Sequence, residues 1–511
     1  PSLRLASPAQ LSNHASVDFY VEQVLQHAKV ILISVHGGVS YWRYGIERLV
    51  ELAERGAQVI MVPGCDNPDP ELMALSSVPL AEAERLWQFL RQGGAANALQ
   101  LFNCIASHWL QRDYAWVEPQ PLPRVGLYHP QCSNPSLADW QANWRAGSPV
   151  VALLFYRTQV QAANTGFIDV FCQRLQAQGL NPLPIAVASL KEAACLTQVE
   201  DWLDEADARL IINTTAFAIS NPEAPDLCPF RRSVPVLQAI CALDNHAQWQ
   251  ASAQGLGSRD LAMHIVLPEL DGRLITQPIS FKGLAWRSER SQSDVVCYQP
   301  HLPGMDFVAE LARNWIALAR KHNADKRIAL VLANYPTRDG RIGNGVGLDT
   351  PAAALNILKA LQQQGYPVAG LPDSGTSLIH QLLGGVTNEL DSLDARPCAQ
   401  SLALDEYLAF FHSLPQANQQ AVRERWGEPQ QDPMFRSGRL MIAGLRFGLT
   451  FVGIQPARGY QLDAAAVYHD PDLLPPHGYL AFYCWLRRAF ACDAVIHVGK
   501  HGNLEWLPGK S

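Results

Sequence analysis

The segment RIALVLANYPTRDGRIGNGVGLDTPAAALNILKALQQQGYPVAGLP, residues 327–372, joins an apolar run, a glycine-rich loop and an amphipathic stretch. The unbroken apolar run at its start predicts a strand covered on both faces. Leu355, Leu358 and Leu361 recur at helical spacing, and Asp349-Thr350-Pro351 is a favourable helix start. Gly365 suits the C-cap of that helix. A second strand is expected after it, which makes the segment a strand–helix–strand unit of the kind that builds parallel sheets.

Two other segments follow the same plan. Residues 28–64 read AKVILISVHGGVSYWRYGIERLVELAERGAQVIMVPG, and residues 149–187 read PVVALLFYRTQVQAANTGFIDVFCQRLQAQGLNPLPIAV. Their helices carry apolar faces at Ile46, Leu49, Val50 and Leu52, and at Ile168, Phe171 and Leu175. Further strands are expected at 209–213 and 493–498. The fold class is therefore α/β and multidomain, with several parallel-sheet units and a helical connecting region. The expected boundaries are 1–123, 124–300, 301–385, a polar, Gln-rich connecting region at 386–436, and 437–511. Pro-rich stretches at 117–123 and 222–235 read as connections.

Composition narrows the function. At 511 residues the chain is too long for one core, and 48% hydrophobic with 17% charged residues is ordinary for a globular protein. A net charge of −7 argues against nucleic acid as a general partner. No apolar run reaches the ~18 residues of a membrane span; the nearest, LMIAGLRFGLTFVGI at 440–454, is interrupted by Arg446. The 11 cysteines are dispersed without a C-x-x-C pair, as expected for free thiols in a reducing, cytoplasmic compartment. A start at Pro1, and an end inside a motif, read as a fragment of a longer polypeptide.

The closing stretch, HVGKHGNLEWLPGKS, ends like a phosphate-binding loop. Counting back from Gly509, the first glycine of such a loop should stand where Leu504 is, and Glu505, Trp506, Leu507 and Pro508 follow. A carboxylate, two bulky apolar groups and a residue without an N–H cannot wrap phosphate. The informative residues are instead His497, His501 and Glu505, spaced by four. Two imidazoles and a carboxylate suit a divalent transition metal or a proton relay, and a structural hydrogen-bonded cluster is the competing reading. Just upstream, His469, Asp470, Asp472 and His477 read as a surface loop leading into a helix over 477–490.

Loops after strands are the first places to look for ligands in an α/β sheet. The 334–351 loop carries Arg338, Asp339 and Arg341 among four glycines. Its G-x-G-x-G is not the dinucleotide fingerprint, so an anionic-ligand cleft and a plain flexible loop stay open beside nucleotide binding. In the first unit, His36 is expected to be structural. Tyr41, Trp42 and Tyr44 are expected to pack, with stacking on a flat ligand as the alternative.

The run HVGKHGNLEWLPGKS, preceded by VYHDPDLLPPHGYLAFYCWL, resembles the H-x-G-[TK]-H-G-x-x-E-[WF]-x-P-G-K signature of the large porphyrinoid-binding subunits of metal chelatases. The similarity extends to ANYPTRDGRIGNGVGLDTPAAALNILKALQ and VSYWRYGIERL, and it is closest to the cobaltochelatase branch. Lys500 stands where that family usually has threonine.

The resemblance implies a tetrapyrrole- and metal-binding subunit of an ATP-dependent cobaltochelatase that inserts Co²⁺, as substrate metal, into a corrin precursor (hydrogenobyrinic acid a,c-diamide) in cobalamin synthesis. ATP would be hydrolysed on an AAA+ ATPase subunit, with a second smaller chelatase subunit as a further partner. His497, His501 and Glu505 would serve the metal, with Glu505 and His501 as the catalytic pair. Arg338, Arg341, Asn344 and Lys500 would bind the tetrapyrrole. The alternatives are the large porphyrin-binding subunit of a magnesium chelatase, acting on protoporphyrin IX, and a non-enzymatic tetrapyrrole-binding protein.

Overall fold

The computed structural model describes residues 2–220, 223, 229–335, 337–460, 470–499, 504 and 507–510. They divide into two compact units, Pro1–Arg313 and Asn314–Ser511.

The first unit opens with strand β1 (Val30–Val35), a helix at Arg43–Glu54 and strand β2 (Gln58–Pro63). β1 and β2 pair in parallel, Val30 opposite Gln58, as the repeat plan requires. The helix buries Ile46, Leu49 and Leu52 against them, along the apolar stripe read from the sequence. Trp42 donates to the Leu11 carbonyl (3.0 Å), and the Tyr44 hydroxyl donates to Asp18 (2.8 Å), so both aromatics pack. Tyr41 is exposed, and His36 sits 3.3 Å from the Gly64 carbonyl.

A larger sheet follows, built from β3 (Val125–Leu127), β4 (Val150–Tyr156), β5 (Asn181–Val187), β6 (Ala208–Asn213), β7 (Val236–Ala242), β8 (Leu274–Ser288) and β9 (Ser293–Pro300). Its order is β3-β5-β4-β6-β7-β8-β9. The inner five strands run parallel, and β3 and β9 close the ends antiparallel. β4 is buried along all but its last residue, which explains its uninterrupted apolar sequence.

In the second unit, strand β10 (Ile328–Leu332) and the helix Thr350–Gln363 stand where the 327–372 segment predicts them. The second strand of that segment is not formed, and this corrects the strand–helix–strand reading of it. Pro367 offers no N–H to a ladder. Its carbonyl instead accepts one bond from Leu449 (2.9 Å), while Gln362 caps the Val368 carbonyl (2.9 Å). β10 finds its neighbours far along the chain. It pairs in parallel with β15 (Thr450–Ile454) on one side and β16 (Ala494–Val498) on the other.

The apolar run 440–454 proves to be strands. It holds β13 (Arg439–Ile442), β14 (Gly444–Phe447) and β15, of which the last two form an antiparallel hairpin. Residues 386–436 contain the helices Leu404–Phe411 and Gln416–Trp426, and also β11 (Gln400–Ala403), which joins β13 and β12 (Phe435–Arg436) in a small antiparallel sheet. Among the described residues no helix is long and apolar enough to cross a membrane, and the cysteines are free.

The upstream histidine loop is also corrected. His477 is fully buried: its Nδ1 lies 2.6 Å from the Tyr407 hydroxyl and its Nε2 3.0 Å from the Gly427 carbonyl. Burial lowers its pKa, so the ring is a neutral structural staple at the start of the helical run 477–489. Asp470 and Asp472 are exposed, and His469 lies outside the described residues.

Candidate functional site

The ends of three parallel strands are stitched together in the second unit. Ala333, just past β10, donates to the Val498 carbonyl (3.0 Å), and Gln455, just past β15, donates to the Leu332 carbonyl (2.9 Å). This carboxyl edge is where an open α/β sheet presents ligand-binding groups. The glycine loop departs from it and turns back at once, with Asn334 bridged to Ile342 and Gly343 donating to the Ala333 carbonyl (2.7 Å).

Two primary amides are buried here. Asn334 and Gln455 are each 1% exposed, and among the described residues neither side chain has a hydrogen-bond partner of normal geometry. The Tyr483 hydroxyl, whose pKa burial raises, lies close enough to Gln455 and Tyr479 for both to oppose that rise. Leaving a buried polar group unpaired costs about 1–3 kcal/mol, so native proteins keep such groups where a ligand or ordered water completes them. The Gln455 main chain is itself fixed, because Asn388 donates to its carbonyl (2.9 Å).

His497 lies in β16, opposite Val331 of β10, one residue before the end of the strand. It is exposed, and its ring runs nearly parallel to that of Tyr483, 25° apart with centroids at 6.3 Å. Gly499 follows at φ 153°, and a Cβ there would fall 2.4 Å from the Ala333 Cβ. Only glycine lets β16 close against β10 at this point. Gly499→Ala is expected to cost about 1–3 kcal/mol through strain and overlap, read as a lower melting temperature of the full-length chain; unchanged melting would refute the close approach.

The loop residues separate into anchors and outward groups. Asp339 pairs with Arg396 (2.5 Å), which also donates to Thr387 (2.8 Å) and Ser392 (2.9 Å). Asn344 donates to the Tyr335 carbonyl (3.2 Å) and so holds the loop's shape. Arg338 and Arg341 flank the anchored turn, are exposed, and among the described residues enter no ion pair. A cavity of about 400 Å³ beside the loop is lined by Asp339, Asp349, Thr376 and His380, and not by the two arginines.

The strand edge thus brings together His497 and the root of the loop that carries Arg338, Arg341 and Asn344. Lys500, His501 and Glu505 lie outside the described residues. Among the described residues there is no group of three or more His, Cys, Asp or Glu placed for a metal ion. Sequence reasoning missed Asn334, Gln455 and Tyr483. Asn334 was within reach of it, since a polar residue directly after an apolar strand opens a strand-end loop. Gln455 gave no such signal, because β15 lay hidden inside an apolar run.

Fold and edge together define an α/β protein whose second unit gathers polar side chains at its strand ends. A family model described as CobN/Magnesium Chelatase matches residues 87–511, and the chain belongs to that family. It is 74% identical over its full length to the aerobic cobaltochelatase subunit CobN of Pseudomonas aeruginosa, and 40% identical to that of Sinorhizobium sp. It is 28% identical, over 83% of its length, to a magnesium-chelatase subunit of Chlorobaculum parvum. Among solved structures it resembles the catalytic subunit of cobaltochelatase from Mycobacterium tuberculosis, with a TM-score of 0.74 and 31% identity over 98% of this chain and 41% of that one. The chain spans 41% of the length of both CobN relatives.

Proposed function

We propose that this chain is part of the tetrapyrrole- and metal-handling large subunit of an ATP-dependent cobaltochelatase, inserting Co²⁺ into hydrogenobyrinic acid a,c-diamide during cobalamin synthesis in the cytoplasm. The observation that carries the reading is the carboxyl edge of β10, β15 and β16, where unpaired buried amides stand beside the strand that enters the His497–Glu505 motif. Insertion forms N–Co bonds as the inner N–H proton of the ring leaves and the metal sheds water. That chemistry needs a proton acceptor and transient ligands at the ring. Glu505 and His501 take the first role, and His497 and His501 the second, with Glu505 as a further metal ligand. Imidazole suits Co²⁺, whereas Mg²⁺ prefers oxygen ligands and retains its waters. The 74% identity to a cobaltochelatase subunit, against 28% to a magnesium chelatase one, supports the same choice.

Arg338, Arg341 and Lys500 would pair with acidic side chains of the tetrapyrrole, and Asn344 would keep the loop in shape for them. As the family resemblance implies, ATP hydrolysis would belong to an AAA+ partner subunit, assisted by a second smaller subunit; the Gly-Lys-Ser at 509–511, which lacks the glycine and the open backbone of a phosphate loop, is in keeping with that. The test is reconstitution of the full-length chain with its partners. ATP-dependent cobalt insertion supports the reading, and magnesium insertion into protoporphyrin with no cobalt activity overturns it. Arg341→Ala is expected to weaken tetrapyrrole binding by about 1–3 kcal/mol with little change in melting temperature. A large drop in melting with unaltered binding would assign Arg341 to the structure.

A further inference from the structure

The strand order of the larger sheet in the first unit marks a second place for a ligand. From β4 the chain crosses to β5 on one side, then returns to add β6 on the other. Such a reversal parts the two crossovers and leaves a crevice beyond the carboxyl ends of β4 and β6, the usual ligand position in an open α/β sheet. A cavity of about 340 Å³ lies at that point. Tyr156 ends β4, Ala188 follows β5, Thr214 follows β6 and Cys241 stands near the end of β7, and all four line it.

The lining selects against charge. Among the described residues no Asp, Glu, Lys or Arg lines the cavity, whereas Tyr156, Phe167, Phe217 and Tyr298 bring aromatic rings and Met263 a thioether. The inner hydroxyls are engaged by the fold. That of Tyr156 donates to the Ala216 carbonyl (3.2 Å) and accepts from its N–H (3.1 Å), and that of Thr214 donates to the Leu154 carbonyl (2.9 Å). Burial pushes the Cys241 thiol up to about 11 and drops the His264 ring to about 4, so both are neutral near pH 7. A charged ligand would find no counter-charge here, and burying a charge unpaired is costly.

Two backbone irregularities meet at the rim. Phe217 is held at φ 66°, a strained conformation for a bulky residue, and is 42% exposed. Its N–H bonds the Met263 carbonyl (2.9 Å), within the π-helical turn Leu261–Val266. Strained residues and π-turns both concentrate at ligand sites. An exposed phenyl ring on strained backbone adds little to the core, and it suits a clamp at the mouth of the cavity.

We infer that this cavity binds a small uncharged aromatic molecule, which lies among Tyr156, Phe167 and Tyr298 with Phe217 closing over it. At about 340 Å³ the cavity is at the small end of ligand sites. It takes one or two fused rings and not a macrocycle, so the inference does not rest on the chelatase reading.

The test is calorimetric titration of the full-length chain at pH 7 with toluene and with its charged relatives benzoate and benzylamine. Toluene should bind saturably with a Kd below about 1 mM, and both charged probes at least about tenfold more weakly. Phe217→Gly keeps the N–H bond and relieves the backbone, so it should weaken toluene binding about tenfold without lowering the melting temperature. Ala216→Leu, which fills the cavity, should abolish toluene binding. Absence of saturable toluene binding, or a charged probe binding as tightly as toluene, would overturn the inference without any variant. Toluene affinity unchanged in Phe217→Gly or in Ala216→Leu would overturn it as well.

Discussion

Glu505→Gln in the full-length chain, assembled with the proposed ATPase partners, is expected to cut metal insertion at least ~10²-fold, the low end for loss of a general acid or base. Glutamine keeps the size and the hydrogen-bonding capacity but removes charge and basicity. Tetrapyrrole affinity should hardly change, because most of it would come from burying the flat apolar face of the ring and pairing its acidic groups. The partner ATPase should continue to turn over without productive insertion. His501→Ala should act similarly and also raise the cobalt concentration needed for half-maximal rate. Normal folding, normal binding and an undiminished insertion rate in Glu505→Gln would remove the catalytic assignment.

Asn334→Leu separates a binding role from a structural one at the strand edge. The amide is 1% exposed and without a partner among the described residues, so an apolar group of similar volume should leave stability unchanged or raise it by about 1 kcal/mol. If the amide serves the tetrapyrrole or a water that it displaces, affinity should fall about tenfold or more, equivalent to ~1.4 kcal/mol. Fluorescence titration with the tetrapyrrole and thermal melting measure the two effects on one sample. Lower stability with unchanged affinity would make Asn334 part of the fold alone.

Much of the architecture was legible because local patterns agree with the final packing. The runs at 30–35, 58–63, 150–156 and 181–187 lie in strands, and Gly56 and Gly179, just past the intervening helices, take the positive φ of a helix C-cap. The third unit misled because a strand–helix–strand pattern says nothing about which strand is the neighbour. Tyr366-Pro367-Val368 looks like the return strand, yet the partners of β10 come from residues 450–454 and 494–498. Register over such separations is set by tertiary packing, here of Phe451, Val452 and Phe482 in one core, and no short window carries it.

The site was legible in part for a similar reason. His497 stands out through its motif, and the structure places it at the end of a strand neighbouring the glycine loop. The buried amides are ordinary letters in the sequence. They gain meaning once three strand ends converge and leave their polar atoms without regular partners among the described residues. His477 shows the opposite error: an apparent surface histidine that the fold closes over, with Tyr407 and Gly427 taking both ring nitrogens.

Whether the carboxyl edge of β10, β15 and β16 handles the tetrapyrrole and its metal is decided by a structure of the full-length chain with the corrin precursor bound. The macrocycle should contact His497 and the 334–351 loop, with polar atoms of the ligand or its waters within hydrogen-bond distance of Asn334 and Gln455. A macrocycle bound elsewhere, with those two amides untouched and His497 facing solvent, would contradict that assignment.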